Sequence, residues 1–417
     1  MDTKTKPGAV ADREFFLFHK DVQCPNCCAG GMDVFYALER VPVHSVMNVQ
    51  SQAEALDFPT GDIELGFCRQ CSFIANTRFD PSRIAYSQDC EESQGYSKTF
   101  NDFLADSTRD LIDRYDIRDK EIIEIGCGKG DFLRLICHLG NNRGLGFDPA
   151  YVPGREELGV ADGERQGHVR FIQDYYSEKY AHTKADVYVC RMTLEHISRP
   201  YDFLKMIRDS IGDSRSLVCF QVPNMTRILE ECAFEDIYYE HCSYFTPEAL
   251  ETLFWLTGFE VQDVRTVYGD QYLMLEAFPT AEPIPAQGEG FKAVEDGETQ
   301  ALLTRFVDRY REKIETYWKN RIQELFSQGR KVVAWGSGSK GVAFLTTLGI
   351  KEAIEYVVDI NPHRQGTFMA GTAQPIVAPS FLKDYRPDVV IVMNAIYVPE
   401  IKDELRSMGL SPEVEAL

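Results

Sequence analysis

The stretch "EDIYYEHCSYFTP", residues 235 to 247, places Tyr238, Tyr239, Glu240, His241 and Tyr244 within seven positions. A hydrophobic core has no use for so many proton-handling side chains, whereas a reaction that moves a proton does. Only eight histidines occur in the chain, and two of them follow a glutamate: His196 in "RMTLEHI" and His241 in "YYEHCSYF". A neutral imidazole accepts a proton near pH 7, which makes His241 a candidate base. Glu240 could then tune or orient it, and Tyr238 could donate to a developing oxyanion. The plainer readings are a helix cap or carbonyl partner for His196 and a surface loop position for His241. Tyr244 and Phe245 read as core beneath the loop.

Such residues work only if other elements bring them together. "EIIEIGCGKGDFLRLI" begins with consecutive apolar residues, as in a strand buried on both faces, and changes to helical spacing after Gly126, Gly128 and Gly130. Glycines at a strand-to-helix turn let a nucleotide-type ligand approach the backbone. "GLGFDP" ends a second strand at Asp148, 18 residues beyond Gly130, where a carboxylate can accept from ribose hydroxyls. Further on, "RFIQDYYSEKY" offers Asp174, with a helix cap as its plain alternative. "ADVYVCRMTLEHI" reads as the fourth strand, with Arg191 and His196 at its carboxyl end. Spacing alone leaves a dinucleotide fold and a methyltransferase fold open.

Cys24 and Cys27, with Cys68 and Cys71, form two CxxC pairs about 40 residues apart. Four soft thiolates at tetrahedral corners select zinc. The alternatives are unrelated pairs or a thioredoxin-like redox motif. "FYALERVPVHSVMNV" between them alternates like a small sheet, and Cys28 reads as a spectator.

A Pro, Gly and acid cluster predicts a linker near 279 to 297, followed by a long amphipathic helix ending at Gly329. The α/β pattern then restarts in "KVVAWGSGSKGVAFLTTLGI". There Gly336, Gly338 and Gly341 have Rossmann spacing, and Asp359 follows 18 residues later. An NAD site, a second nucleotide-like or substrate-facing pocket, and a structural remnant all fit that spacing.

Composition narrows the partners. A chain of 417 residues exceeds one core and predicts two or three domains. Asp and Glu outnumber Lys and Arg by 65 to 44, a net charge of −21, which argues against a nucleic-acid partner. No run of about 18 apolar residues predicts a membrane span. The opening "MDTKTKPGAVADREFF" lacks a signal peptide's apolar run, so the expected setting is cytoplasmic and reducing.

"EIGCGKGDF" resembles motif I of class I S-adenosylmethionine-dependent methyltransferases. Adding the CxxC pairs, "LEHI", "YYEHCSYFT" and the tail "GSGSKGVAF…VVDINPHRQGTF…GTAQPIVAP", nearly the whole chain resembles the three-domain C-methyltransferases of nucleotide-activated keto-sugars. The resemblance implies an α/β fold with a class I methyltransferase Rossmann-like core over 86–280. A zinc-binding domain would precede it at 1–85, and a linker, long helix and Rossmann-like substrate domain would follow at 281–417. It implies S-adenosylmethionine on Glu124, Gly126, Gly128, Gly130, Asp148, Asp174 and Arg191, and structural zinc on Cys24, Cys27, Cys68 and Cys71. Catalysis would fall to His241, Glu240, Tyr238 and His196 through base-catalysed enolate formation. Tyr86 or Tyr96 of the joining segment, with Gly336, Gly338, Lys340 and Asn394, would meet the substrate, a nucleotide-linked keto-sugar. "MNAIYVPEI" and "CEESQGYS" depart from the sugar enzymes' pattern. An oxygen or nitrogen acceptor on the same scaffold is the alternative, and a non-catalytic zinc and nucleotide-binding module is a further one.

Overall fold

Backbone hydrogen bonding in the computed structural model, which describes residues 17–155, 169–280, 297–349 and 352–417, gathers the strands into three sheets. The linker expected near 279 to 297 lies almost wholly outside the described residues. The first sheet takes β1 (Leu17–Gln23), β2 (Gly30–Pro42), β3 (Thr60–Phe67) and β4 (Ile74–Asn76), all antiparallel. Each CxxC forms a tight turn: Cys28 N donates to Cys24 O at 2.8 Å and Ser72 N to Cys68 O at 2.9 Å. Cys28 and Ser72 occupy equivalent positions with φ of 64° and 58°. The spectator cysteine is thus the residue that turns the chain.

The second sheet begins with parallel strands β5 (Glu121–Ile125), β6 (Arg143–Phe147), β7 (Val169–Ile172), β8 (Val187–Arg191) and β9 (Leu217–Pro223). The chain then leaves this sheet for β10 (Ser243–Tyr244), which pairs with β4 of the first sheet, before returning as the hairpin of β11 (Phe259–Val267) and β12 (Tyr272–Pro279). The resulting order is β11-β12-β9-β8-β5-β6-β7, with β12 running against its neighbours. This is the open sheet expected of a class I methyltransferase core, closed by an antiparallel hairpin. Parallel strands β13 (Val332–Trp335), β14 (Tyr356–Val358), β15 (Ile376–Val377), β16 (Val389–Val392) and β17 (Glu413–Ala416) form the third sheet.

The long helix joins the first and third sheets. Its buried residues Phe306, Tyr310, Ile314, Trp318 and Ile322 recur every fourth position, more than the 3.6 residues of an α-turn. A π-helical segment, Glu312–Trp318, takes up the excess and keeps the apolar stripe facing inward. Phe306 and Tyr310 meet Tyr36 edge-on, and Trp318 meets Phe344.

Packing does not follow the linear division at 85 and 280. Ile228, Phe234, Ile237, Tyr239 and Tyr244 share one core with the first sheet and the C-terminal domain, whereas Phe245 belongs to the central core. The segment carrying Tyr238, Glu240 and His241 therefore hangs between domains. Its seat is tight: a Cβ on Gly61 in β3 would lie 2.2 Å from the Tyr239 ring. Gly61→Ala is expected to cost about 1–3 kcal/mol through overpacking, read as an earlier denaturation midpoint. Turnover should fall with it, because Tyr239 lies between Tyr238 and Glu240.

Candidate active site

Loops from all three parts of the chain wall one cavity of about 1120 Å³. Small-molecule pockets run to about 300–1,000 Å³, so this one stands at the upper end of that range.

One wall is the turn after β5. Gly126 and Gly128 have φ of 72° and 52°, and a Cβ on Gly126 would lie 2.0 Å from Thr193 Oγ1. Asp148, just after β6, accepts from Gly128 N at 2.8 Å and from Ala150 N at 2.7 Å, bracing the glycine turn while keeping lone pairs for a ligand. Glu124 is 3 % exposed and its Oε2 has no partner, so burial pushes its carboxyl up to about 8. Such an orphaned oxygen beside a glycine turn fits a ligand's donor. Arg191 stacks over Phe132 and donates from Nε to Gln221 Oε1 at 2.8 Å.

Two residues expected to touch the cofactor do not line the cavity. The space beside Gly130 is filled by the Phe171 ring, 2.5 Å from where a Cβ would sit. Asp174 Oδ2 accepts from Lys179 Nζ at 2.8 Å and Tyr180 OH at 2.7 Å, a local ion pair outside the cavity. Its neighbour Tyr175 lines the wall instead.

The histidines line the same cavity, their ring centroids 4.8 Å apart. Glu240 is the hub beneath them. Its Oε1 lies 2.9 Å from His44 Nδ1, and its Oε2 accepts from Ser45 N at 2.8 Å and from the Ser45 hydroxyl. His44 Nε2 accepts from Ala85 N at 3.1 Å, so Nδ1 carries the proton donated to Glu240. Burial would raise the Glu240 carboxyl, but the His44 and Ser45 hydrogen bonds outweigh it and hold it below the usual range. The Glu240 carbonyl in turn lies 3.0 Å from His196 Nδ1. A carbonyl only accepts, so that nitrogen bears the hydrogen and His196 Nε2 keeps the lone pair.

Tyr86 OH also lies 2.8 Å from His196 Nδ1, with the Tyr86 ring edge-on to both His44 and His196. Tyr96 lines the cavity farther off, its OH accepting from Arg155 at 3.4 Å. Tyr86 is therefore the joining-segment tyrosine at the histidine pair. His241 is 3 % exposed; its Nε2 lies 2.7 Å from Tyr238 OH and its Nδ1 has no partner. Burial, with His196 and Lys340 nearby, pushes the His241 imidazole well below its ordinary value, so the ring is neutral at neutral pH.

Gly336, Gly338, Lys340 and Asn394 face the same cavity from the C-terminal domain. Lys340 Nζ donates to Asp236, and Asn394 donates to Gln271 at 2.8 Å. Asp359, where Rossmann spacing puts a ribose carboxylate, also lines the cavity and accepts from Ser337 N at 2.9 Å and from Asn361 N at 2.8 Å, as Asp148 does in its own turn. Away from the cavity, Cys24 and Cys71 sulfurs lie 3.7 Å apart, as do those of Cys27 and Cys68. Tetrahedral thiolates about 2.3 Å from one ion would be about 3.8 Å apart.

Sequence reasoning did not single out His44 and Ser45, which lie in "VPVHSV" and read there only as sheet residues. The rarity of histidine was the one available signal. Glu195 was noticed only as the neighbour of His196, yet it lines the cavity.

Two family models match in tandem: a methyltransferase domain over residues 96–264 and a C-methyltransferase C-terminal domain over 291–410. The second covers the turn with Rossmann spacing. The C-methyltransferase NovU of Streptomyces niveus is 26% identical over 302 residues, 70% of each chain. A putative methyltransferase from Listeria monocytogenes matches 42% of this chain and 99% of its own at 13% identity and TM-score 0.32. One from Aquifex aeolicus matches 48% and 100% at 12% identity and TM-score 0.34. No helix among the described residues is long and apolar enough to cross a membrane. With its methyltransferase sheet followed by the matching C-terminal domain, the chain is an S-adenosylmethionine-dependent methyltransferase whose two tandem matches are consistent with the multi-domain C-methyltransferases.

Proposed function

We propose that the acceptor is the carbon beside a ketone in a nucleotide-linked keto-sugar or similar small molecule, and that His241 removes its proton. The observation that supports this most is a neutral, buried imidazole on the wall of the cavity that all three parts of the chain share, with a tyrosine hydroxyl at its Nε2. S-adenosylmethionine supplies an electrophilic methyl group, and Glu124, Gly126, Gly128, Asp148 and Arg191 are the residues that would hold it. A ketone's neighbouring carbon becomes nucleophilic only as the enolate. His241 takes the proton, Tyr238 turns its hydroxyl to the enolate oxygen, and the walls hold the carbon on line. Glu240 anchors His196 from below. Gly336, Gly338, Lys340 and Asn394, which line the same cavity from the C-terminal domain, would seat the nucleotide.

His241→Ala should lower kcat by about 10²–10⁴-fold and leave S-adenosylmethionine affinity unchanged. It should also abolish deuterium exchange into the acceptor in the presence of S-adenosylhomocysteine. A loss of only a few-fold would favour an oxygen or nitrogen acceptor, whose proton leaves readily.

We further propose that Cys24, Cys27, Cys68 and Cys71 hold one structural Zn²⁺, in keeping with a reducing, cytoplasmic setting. The donor set is soft, buried and at tetrahedral spacing, and Asn26 Nδ2 ties it to the central domain through Ala249 O at 3.0 Å. Elemental analysis should find one zinc per chain. Chelation, or Cys68→Ser, should lower the thermal midpoint before it affects isolated cofactor binding.

A further inference from the structure

We propose that Glu195 is a positioning residue of this proton transfer, its carboxyl serving as the counter-group to the His241 imidazolium; this rests on the reading of His241 as base. Glu195 is 1 % exposed, and neither carboxyl oxygen has a hydrogen-bond partner. Its Oε1 lies 4.0 Å from His241 Nε2. Folded proteins keep few buried carboxyls with both oxygens unpaired, and those they keep cluster where ionisation does work. The contrast with Glu240 is informative, since that carboxylate is saturated by His44 and Ser45. The Glu195 backbone cannot swing away, because Cys242 N donates to Glu195 O at 3.0 Å. Carboxyl and ring therefore face each other across two chain segments locked side by side.

The proton balance assigns the role. The substrate C–H bond breaks, its electron pair goes into the enolate and its proton goes to His241. An imidazolium then appears in a buried site. If Glu195 is ionised, that charge is countered at once; if Glu195 is neutral, it is not, and the imidazole is a weaker base. Burial pushes the Glu195 carboxyl up to about 8, so it is neutral below that pH and ionised above. Turnover should therefore rise as pH passes through about 8 and level off above it.

Other titratable groups face this pair. His196 lies on the same turn, Tyr238 and Cys242 on the "YYEHCSYF" loop, Cys190 on β8, Tyr272 on β12, Tyr86 on the joining segment and Lys340 on the helix after the second glycine turn. Glu92 and Glu124, raised to about 7 and about 8, titrate on the cofactor side of the cavity.

The test is the pH dependence of kcat in wild type, Glu195→Gln and Glu195→Asp, with S-adenosylmethionine affinity followed in parallel to report Glu92 and Glu124. Alongside it, nitrogen NMR follows the His241 ring. Glu195→Gln should remove the rise near pH 8 and lower kcat above it by about a hundredfold, the low end for general-base catalysis. Cofactor affinity should not change, and the His241 titration should move to lower pH. Glu195→Asp should restore part of the rise. A Gln variant that keeps the wild-type rise, or an unmoved His241 titration, overturns the proposal while leaving His241 as base. An active His241→Ala enzyme overturns both.

Discussion

The site depends on one buried anion. The Glu240 carboxylate is solvated by protein rather than water, with donors from His44 and Ser45 on one side, while its own carbonyl orients His196 on the other. The Ser45 hydroxyl, its one hydrogen given to Glu240, also accepts from the Ser339 hydroxyl at 2.8 Å, at the start of the C-terminal domain's glycine-turn helix. Removing one partner of such a buried charge costs about 3–5 kcal/mol. That penalty fixes three parts of the chain against each other, and the cavity is the space left between them.

This arrangement separates two carboxyls in one pocket by environment alone. Glu240 has donors and stays ionised; Glu195 has none and is held neutral until about 8. The same contrast divides the imidazoles. His196 has its Nδ1 committed to a carbonyl and a tyrosine, whereas His241 keeps Nδ1 bare beside a single hydroxyl contact at Nε2. Opposed environments of this kind assign distinct proton roles to chemically alike groups.

The two glycine turns are built alike. Both follow a parallel strand and open a helix, and both face the shared cavity. At the first, Asp148 braces the turn and retains lone pairs towards the space. At the second, Asp359 accepts from Ser337 and Asn361, and Arg364 donates to Ser337 Oγ at 2.6 Å. Like spacing thus yields two turns braced the same way, the second additionally tied by Arg364 through Ser337.

Local order in the chain determined much of this protein. Paired CxxC turns, the apolar run into Gly126, the long helix and the "YYEHCSYF" loop all depend on contacts within a few residues, which spacing and side-chain type specify. Tertiary packing decided the rest. His44 and Glu240 are 196 positions apart, and no periodicity links them. Nor does Asp174 reveal in sequence that Lys179 and Tyr180 will claim its carboxylate. Which of Tyr86 and Tyr96 reaches the histidines, and which of two glutamates stays unpaired, follows from how three sheets close around one cavity. Burial and hydrogen-bond partners exist only once the chain has folded.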